Sequence, residues 1–257
     1  MKNNEFSDQF DELLNSQNNI AEFGDEASLI DYEVNEYDKS LFLTQAEKAL
    51  VIEYYTGMNS EGVSFEEKER VREVLDALMN TKTYNAAEEG KKTIGEKHIL
   101  VREHTGKSEN DLLFELPKDL IGIVFEKIIF SSYLSGCDMT KDAQVIVATH
   151  DDLTYRLQNP FRGISWDRVL RLNVADNVVE ILSDHPIGYY VLRYIREPKP
   201  IILTDLPDGL SIDGLSTETS CELPDSCHRA ILENAVKLAL QSKSIGRLNL
   251  QREKQQD

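Results

Sequence analysis

Hydrophobic positions near the start of the chain recur at helical spacing: Phe6, Phe10, Leu13 and Leu14 share one face of a short helix. Thr44-Gln45-Ala46-Glu47 has the form of a capping box, in which the threonine hydroxyl takes an open amide at a helix start and the glutamate reaches back. The helix it would open runs through Leu50, Val51 and Tyr54 and closes at Gly57, which tolerates a left-handed backbone. Ser64-Phe65-Glu66-Glu67 repeats the box ahead of a Val71, Val74, Leu75, Leu78 stripe. With Gly57, Asn59 and Gly62 in the connector, residues 44–80 are predicted as an antiparallel helical hairpin.

From about His98 the pattern turns extended. Ile99-Leu100-Val101 and Leu112 to Leu116 read as strands, with Gly106, Ser108 and Asn110 as turn chemistry between them. Ile121 to Phe130, rich in β-branched and aromatic residues between Pro117 and Gly136, predicts a long strand bent at Gly122. Val145-Ile146-Val147 adds a short one. Thr149 to Asn159 reads as a brief helix capped by Thr149 and ended by Pro160. Arg168 to Val174, Val178 to Ser183 and Tyr189 to Arg196 resemble a meander, the first two joined by the tight-turn residues Ala175-Asp176-Asn177. Ile201-Ile202-Leu203 would continue the sheet. Residues 204–220 are loop-like, and Pro224-Asp225 opens a last helix with His228, Ile231, Leu232, Ala235, Leu238 and Ala239 on its apolar face. The expected architecture is α+β: an acidic N-terminal arm over 1–38, one domain over 39–243, and a flexible tail over 244–257. Within that domain lie the hairpin (44–80), a central, mostly antiparallel sheet (98–203) and a C-terminal helix (225–243).

Charge sharpens this picture in two places. Residues 1–38 hold eleven acids against the single base Lys2, so this segment is expected to be weakly ordered unless it docks, for example on a neighbouring subunit. The whole chain carries a formal net charge of -18, with 46 acidic residues against 28 basic ones, which disfavours gripping nucleic acid phosphates. DNA could slide along such a surface without sticking. Met1 to Asn19 is polar and acidic, so no signal peptide is expected. Three cysteines, Cys137, Cys221 and Cys227, cannot all pair within one chain, and synthesis in a reducing cytoplasm fits both features. No segment approaches the roughly 18 apolar residues of a membrane span.

Candidate chemistry is sparse. His150-Asp151 is the one dyad of the kind that metal-dependent phosphohydrolases use, but the upstream histidines, His98 and His104, fall in apparent strand and turn, so a helix-start dipeptide is the simpler reading. Cys221, Cys227 and His228 are spaced too widely for a zinc knuckle and read as buried thiols around a helix start. Phosphate-binding glycine loops and a nucleophile elbow are absent. The loop from Pro160 to Trp166, with Phe161, Arg162 and the only tryptophan, has the residue mix of core closure and also of protein interfaces. No catalytic, cofactor-binding or metal-ligating residue is expected, and no cofactor.

Several stretches taken in order carry a resemblance. They are Tyr37-Asp38-Lys39-Ser40-Leu41-Phe42-Leu43-Thr44-Gln45-Ala46-Glu47, Thr149-His150-Asp151-Asp152 with Asn159-Pro160-Phe161-Arg162, Val191 to Leu203, and Cys221-Glu222-Leu223-Pro224 before His228-Arg229-Ala230-Ile231. Over residues 37–243 the chain resembles a structural protein of the crAss-like tailed bacteriophages that infect gut Bacteroidales. The resemblance implies a virion protein of the portal-to-tail region: a homo-oligomeric ring, following the portal's twelve-fold symmetry, with the portal and other neck and tail proteins as partners. It implies no sequence-specific nucleic acid binding, no membrane partner and no enzyme activity. Two alternatives stand beside it: a minor packaged virion protein or assembly factor, and a phage-encoded metal-dependent hydrolase using His150 and Asp151.

Overall fold

The computed structural model describes residues 1–21, 34–57, 69–93, 100–102, 109–131, 142–207 and 209–253, with side chains at 17–21, 69–70 and 243–253 left aside. The second capping box at Ser64, the histidines His98 and His104, and Cys137 lie outside the described residues. The chain divides into two compact units, one formed by Met1–Leu78 with Glu197–Asp257 and one by Met79–Arg196. The class is α+β, with helices at both ends of the sequence and a seven-stranded mixed sheet between them.

The first unit is helical. α1 (Asn3–Ala21) buries Phe6, Phe10 and Leu14 within its own chain, so the first half of the segment expected to be weakly ordered is a docked helix, while residues 22–33 of it lie outside the described residues. Three large apolar groups on one stripe, packed on α2 (Glu36–Thr56) and α6 (Asp225–Glu253), supply the burial that the segment lacks by itself. A polar clasp joins α1 to α2: Lys39, nearly buried, donates through Nζ to Asp11 Oδ2 at 2.7 Å, Glu36 Oε1 at 2.9 Å and Ser7 Oγ at 3.0 Å. Burial alone would lower the pKa of that ammonium, yet the two carboxylates leave it raised.

α2 begins eight residues before the expected capping box. Asn35 is its cap, accepting the Asp38 N–H at 2.7 Å, and Gly57, at φ 75°, closes it as predicted. Thr44 therefore sits inside the helix, where its hydroxyl donates to Ser40 O at 2.8 Å and accepts the Ile201 N–H at 3.0 Å. One turn earlier Ser40 Oγ accepts the Leu203 N–H at 3.0 Å. Ile201–Leu203 consequently does not extend the sheet: two helix hydroxyls satisfy its amides, and a bridge from Ile202 to Thr219 completes its pairing. α3 (Glu69–Asp76) carries the buried Val71, Val74 and Leu75 of the predicted stripe. α6 starts at Asp225 as read from the sequence but continues through Gly246 to Glu253, past the expected end at 243.

The second unit is a curled sheet in the order β1-β7-β3-β4-β5-β6-β2. Its strands are β1 (Met79–Asn85), β2 (Leu112–Glu115), β3 (Leu120–Phe130), β4 (Asp142–Val147), β5 (Arg168–Ala175), β6 (Val178–Leu182) and β7 (Ile187–Arg196). All neighbours are antiparallel except β4 and β5. The β5–β6 hairpin turns at Asp176-Asn177, with Asn177 at φ 58°, as its residues predict. The third segment of the expected meander breaks away: β7 pairs with β3 and β1, while β6 takes β2 as its outer neighbour. β3 is bent by register shifts on both sides of Gly122–Ile123, the place where the glycine signalled it.

β1 was hidden in the sequence because only Tyr84 of its seven residues is buried. It ends at α4 (Ala86–Glu89), capped by the Asn85 side chain. Lys91 then exchanges backbone hydrogen bonds of 3.0 and 2.8 Å with Leu113 of β2, bringing the two outer strands together. Inside the curl Tyr84, Phe114 and Tyr190 form an aromatic core, with Tyr84 5.4 Å from Tyr190 and 5.6 Å from Phe114, ring centre to ring centre. Leu100 and Val101, expected to be part of a strand, instead lead into a turn at Val101–Arg102 that is held by the buried side chains described below.

Candidate functional site

His150 and Asp151 lie exposed in the turn before α5 (Leu153–Gln158). His150 Nε2 donates to Asn173 O at 3.2 Å, which ties the turn to β5. α5 itself begins one turn later than read, with Asp152 in the N-cap position and no capping bond from its side chain to the helix. The turn before it carries the reciprocal bonds of a capping box at the predicted Thr149: Thr149 Oγ1 accepts the Asp152 N–H at 3.4 Å and Asp152 Oδ1 accepts the Thr149 N–H at 2.9 Å, while Asp152 Oδ2 accepts the Arg156 Nε–H at 2.6 Å. Among the described residues no three His, Cys, Asp or Glu side chains gather as metal ligands would.

Around the start of α6, Cys227 and His228 are buried and Cys221 is half-buried. His228 Nε2 donates to Leu223 O at 3.0 Å, and its ring lies 5.0 Å from that of Phe6. Burial pushes its pKa down, so the ring is neutral and serves the α1–α6 packing. The Cys221 thiol donates to Glu47 Oε1 at 3.1 Å, and burial next to that carboxylate raises the thiol pKa far from the reactive range.

Glu47 was singled out as a capping residue and is instead fully buried, with Oε2 unpartnered among the described residues. Desolvation raises its pKa from 4.5 to about 7. Because the folded state holds this proton more tightly than the unfolded chain, the associated stability is complete below pH 4.5 and is lost as pH rises to about 7. Glu47→Gln is expected to stabilise the helical unit by roughly 3 kcal/mol at pH 8 and by little at pH 4. Urea unfolding followed by helical circular dichroism at the two pH values tests this, and equal gains at both would refute the buried-charge account.

The sheet unit contains two further buried polar clusters that periodicity did not reveal. Arg102 grips Asp111 with two nitrogens, Nε at 2.9 Å and Nη2 at 2.5 Å, and also donates to Asp184 Oδ1 and Ser183 O. Glu126 Oε1 accepts the Tyr190 hydroxyl at 2.6 Å and faces Arg171 Nη1 at 3.2 Å. A glutamate interrupting the apolar run of β3 was the one available signal for the second cluster. Both clusters pin loop to strand or strand to strand, with Arg102, Asp111, Glu126 and Arg171 all buried.

Trp166 closes the core, meeting Phe130 edge-on at 5.7 Å and stacking on His185 at 3.4 Å. Phe161, five residues earlier, is 84% exposed. A surface cavity of about 560 Å³ beside the start of α1 is lined by Met1, Lys2, Asn3, Asn4, Glu218 and Ser220, and Asn3 within it already donates to Glu218 Oε1 and Ile202 O.

The described polar groups hold helices and strands together, and the class of protein, a structural component of a virion, comes from the comparisons. The comparisons give that class a specific form. The chain belongs to the phage tail ring protein 3/4 family, whose model matches residues 1–250. It is 42% identical to "Ring protein 3" of Bacteroides phage crAss001 over 245 residues, covering 95% of this chain and 97% of that protein. It is also 28% identical over 250 residues to "Ring protein 4/5" of the same phage, covering 93% and 92% of the two chains. It is therefore a ring protein of the crAss-like phages, as the ordered stretches of sequence implied.

Proposed function

We propose that this chain is a non-enzymatic, ring-forming subunit of the head-to-tail connector and tail of a short-tailed phage, joining portal to tail and forming part of the DNA passage. The observation that carries the reading is full-length membership of a tail ring family, with 42% identity to a ring protein along nearly the whole of both chains. The ring follows the portal and contains twelve copies. An image of the intact particle tests this: the expected result is a closed twelve-membered ring of this chain between portal and tail. Virions lacking the chain, or a position away from the portal vertex, would defeat the proposal.

The net charge of -18 supports a passage role, since carboxylates along a channel repel DNA and keep it moving. α1 turns Glu5, Asp8 and Glu12 outward while its apolar side is docked, so the acidic N-terminal segment offers its charge, not its hydrophobic groups, to a neighbouring ring. His150 has a structural hydrogen bond in this reading, and a turnover abolished by His150→Ala would contradict it.

A further inference from the structure

The connection from β4 to β5 crosses outside the sheet, and its composition stands apart from the rest of the chain. Leu153 to Arg162 contains Arg156 and Arg162 and no carboxylate, in a protein with 46 acids. Nine large hydrophobic side chains are exposed among the described residues, and three of them, Tyr155 at 61%, Leu157 at 37% and Phe161 at 84%, fall within this stretch. Scattered exposed apolar groups need no explanation, but an aromatic pair and an arginine on one short helix and its following turn have the composition of an interface centre.

This surface is rigid. Leu153 is buried against Leu170, Leu172 and Leu182 and anchors α5 to the sheet. The turn bearing Phe161 is organised by Asn159, whose side-chain oxygen accepts the Phe161 N–H at 2.9 Å and whose carbonyl accepts the N–H groups of Arg162 and Gly163 at 3.1 and 2.8 Å. Arg168 donates to the Phe161 carbonyl. The chain passes so closely at Gly163 that an added Cβ would lie 3.0 Å from Asn159 O and 3.1 Å from Arg156 O, so a bulkier residue would disturb the turn. An exposed phenylalanine held this firmly loses little freedom on binding, which favours association. The Arg162 guanidinium forms no ion pair among the described residues, whereas Arg156 is engaged by Asp152.

We propose that Tyr155, Phe161 and Arg162 form the surface through which one copy of this chain holds a second copy, an inference that rests on the ring reading. A ring closes through head-to-tail contacts, in which one patch meets a different patch on the next subunit. Charge selects the second copy as the occupant: an apolar patch bearing Arg162, beside which the Asp152 carboxylate is already engaged by Arg156, complements the surface of a chain carrying -18, of which the Glu5, Asp8, Glu12 stripe on α1 is one example.

The test uses the full chain and the variants Phe161→Glu and Tyr155→Glu, with association followed by native mass spectrometry and sedimentation across concentration. Circular dichroism and Trp166 fluorescence check that each variant is folded. The expected result is concentration-dependent association of the natural chain, weakened at least about thirty-fold by Phe161→Glu, the loss typical of a central interface residue. Unchanged association of both folded variants would overturn the assignment of this patch while leaving the ring reading intact. A natural chain that stays monomeric at every concentration would overturn the second copy as its occupant, and the ring reading would still be decided separately by the particle image.

Discussion

Asp111→Ala should lower the stability of the sheet unit by about 3–5 kcal/mol, the usual cost of removing one partner from a buried ion pair. Asp111 is fully buried and Arg102 nearly so. The carboxylate holds two guanidinium nitrogens and also accepts the Ser183 N–H at 2.9 Å, so alanine leaves a buried cation and a buried amide without their partner. Asp184, half-exposed, remains on Nη1 and cannot replace the bidentate contact. Denaturant unfolding followed by Trp166 is the appropriate measurement, because the only tryptophan lies in this unit. The pair-replacing variant Arg102→Met with Asp111→Leu should recover the share of the loss owed to the unpaired cation, while the Ser183 amide stays without its acceptor. A loss below about 1 kcal/mol for Asp111→Ala would place this pair with weak surface ion pairs and refute its structural role.

Phe10→Ala is the second large effect, expected to cost about 3–5 kcal/mol through lost burial and the cavity left behind. Phe6, Phe10 and Leu14 are the apolar groups that fasten α1, and the first two are fully buried. Undocking the helix would also free Lys39, whose buried ammonium relies on Asp11 of α1. The predicted sign is faster amide exchange over residues 3–16, independent of protein concentration, because the contact lies within one chain. Protection that rises with concentration would show instead that α1 is held by a second molecule.

Local signals in the sequence reported element types well. The stripe Val71, Val74, Leu75 became buried helix, the β-branched run to Phe130 became β3, and Pro224-Asp225 opened α6. Short-range chemistry accounts for these successes: periodic burial, turn residues and helix starts involve neighbours a few positions apart. The same reasoning misjudged Thr44 and Glu47. A Thr-x-x-Glu spacing describes a capping box only while its partners are local, and here Thr44 serves the Ile201 amide, 157 positions away, while Glu47 receives the Cys221 thiol across 174.

Strand order was inaccessible for a related reason. β7 follows β6 directly along the chain yet pairs with β3 and β1, because the pattern of a strand states which face is apolar and not which strand lies beside it. Arg102 and Asp111, or Glu126 and Arg171, are ordinary charged residues until folding places them together away from water. What the residue order settled unaided was the class of each strongly patterned element, the acidity of the surface and, through an ordered set of matching stretches, the family. Folding in three dimensions decided who pairs with whom, which charges are buried and which aromatic groups remain outside. Those outcomes depend on contacts between distant segments, whose energies are not written in any local window.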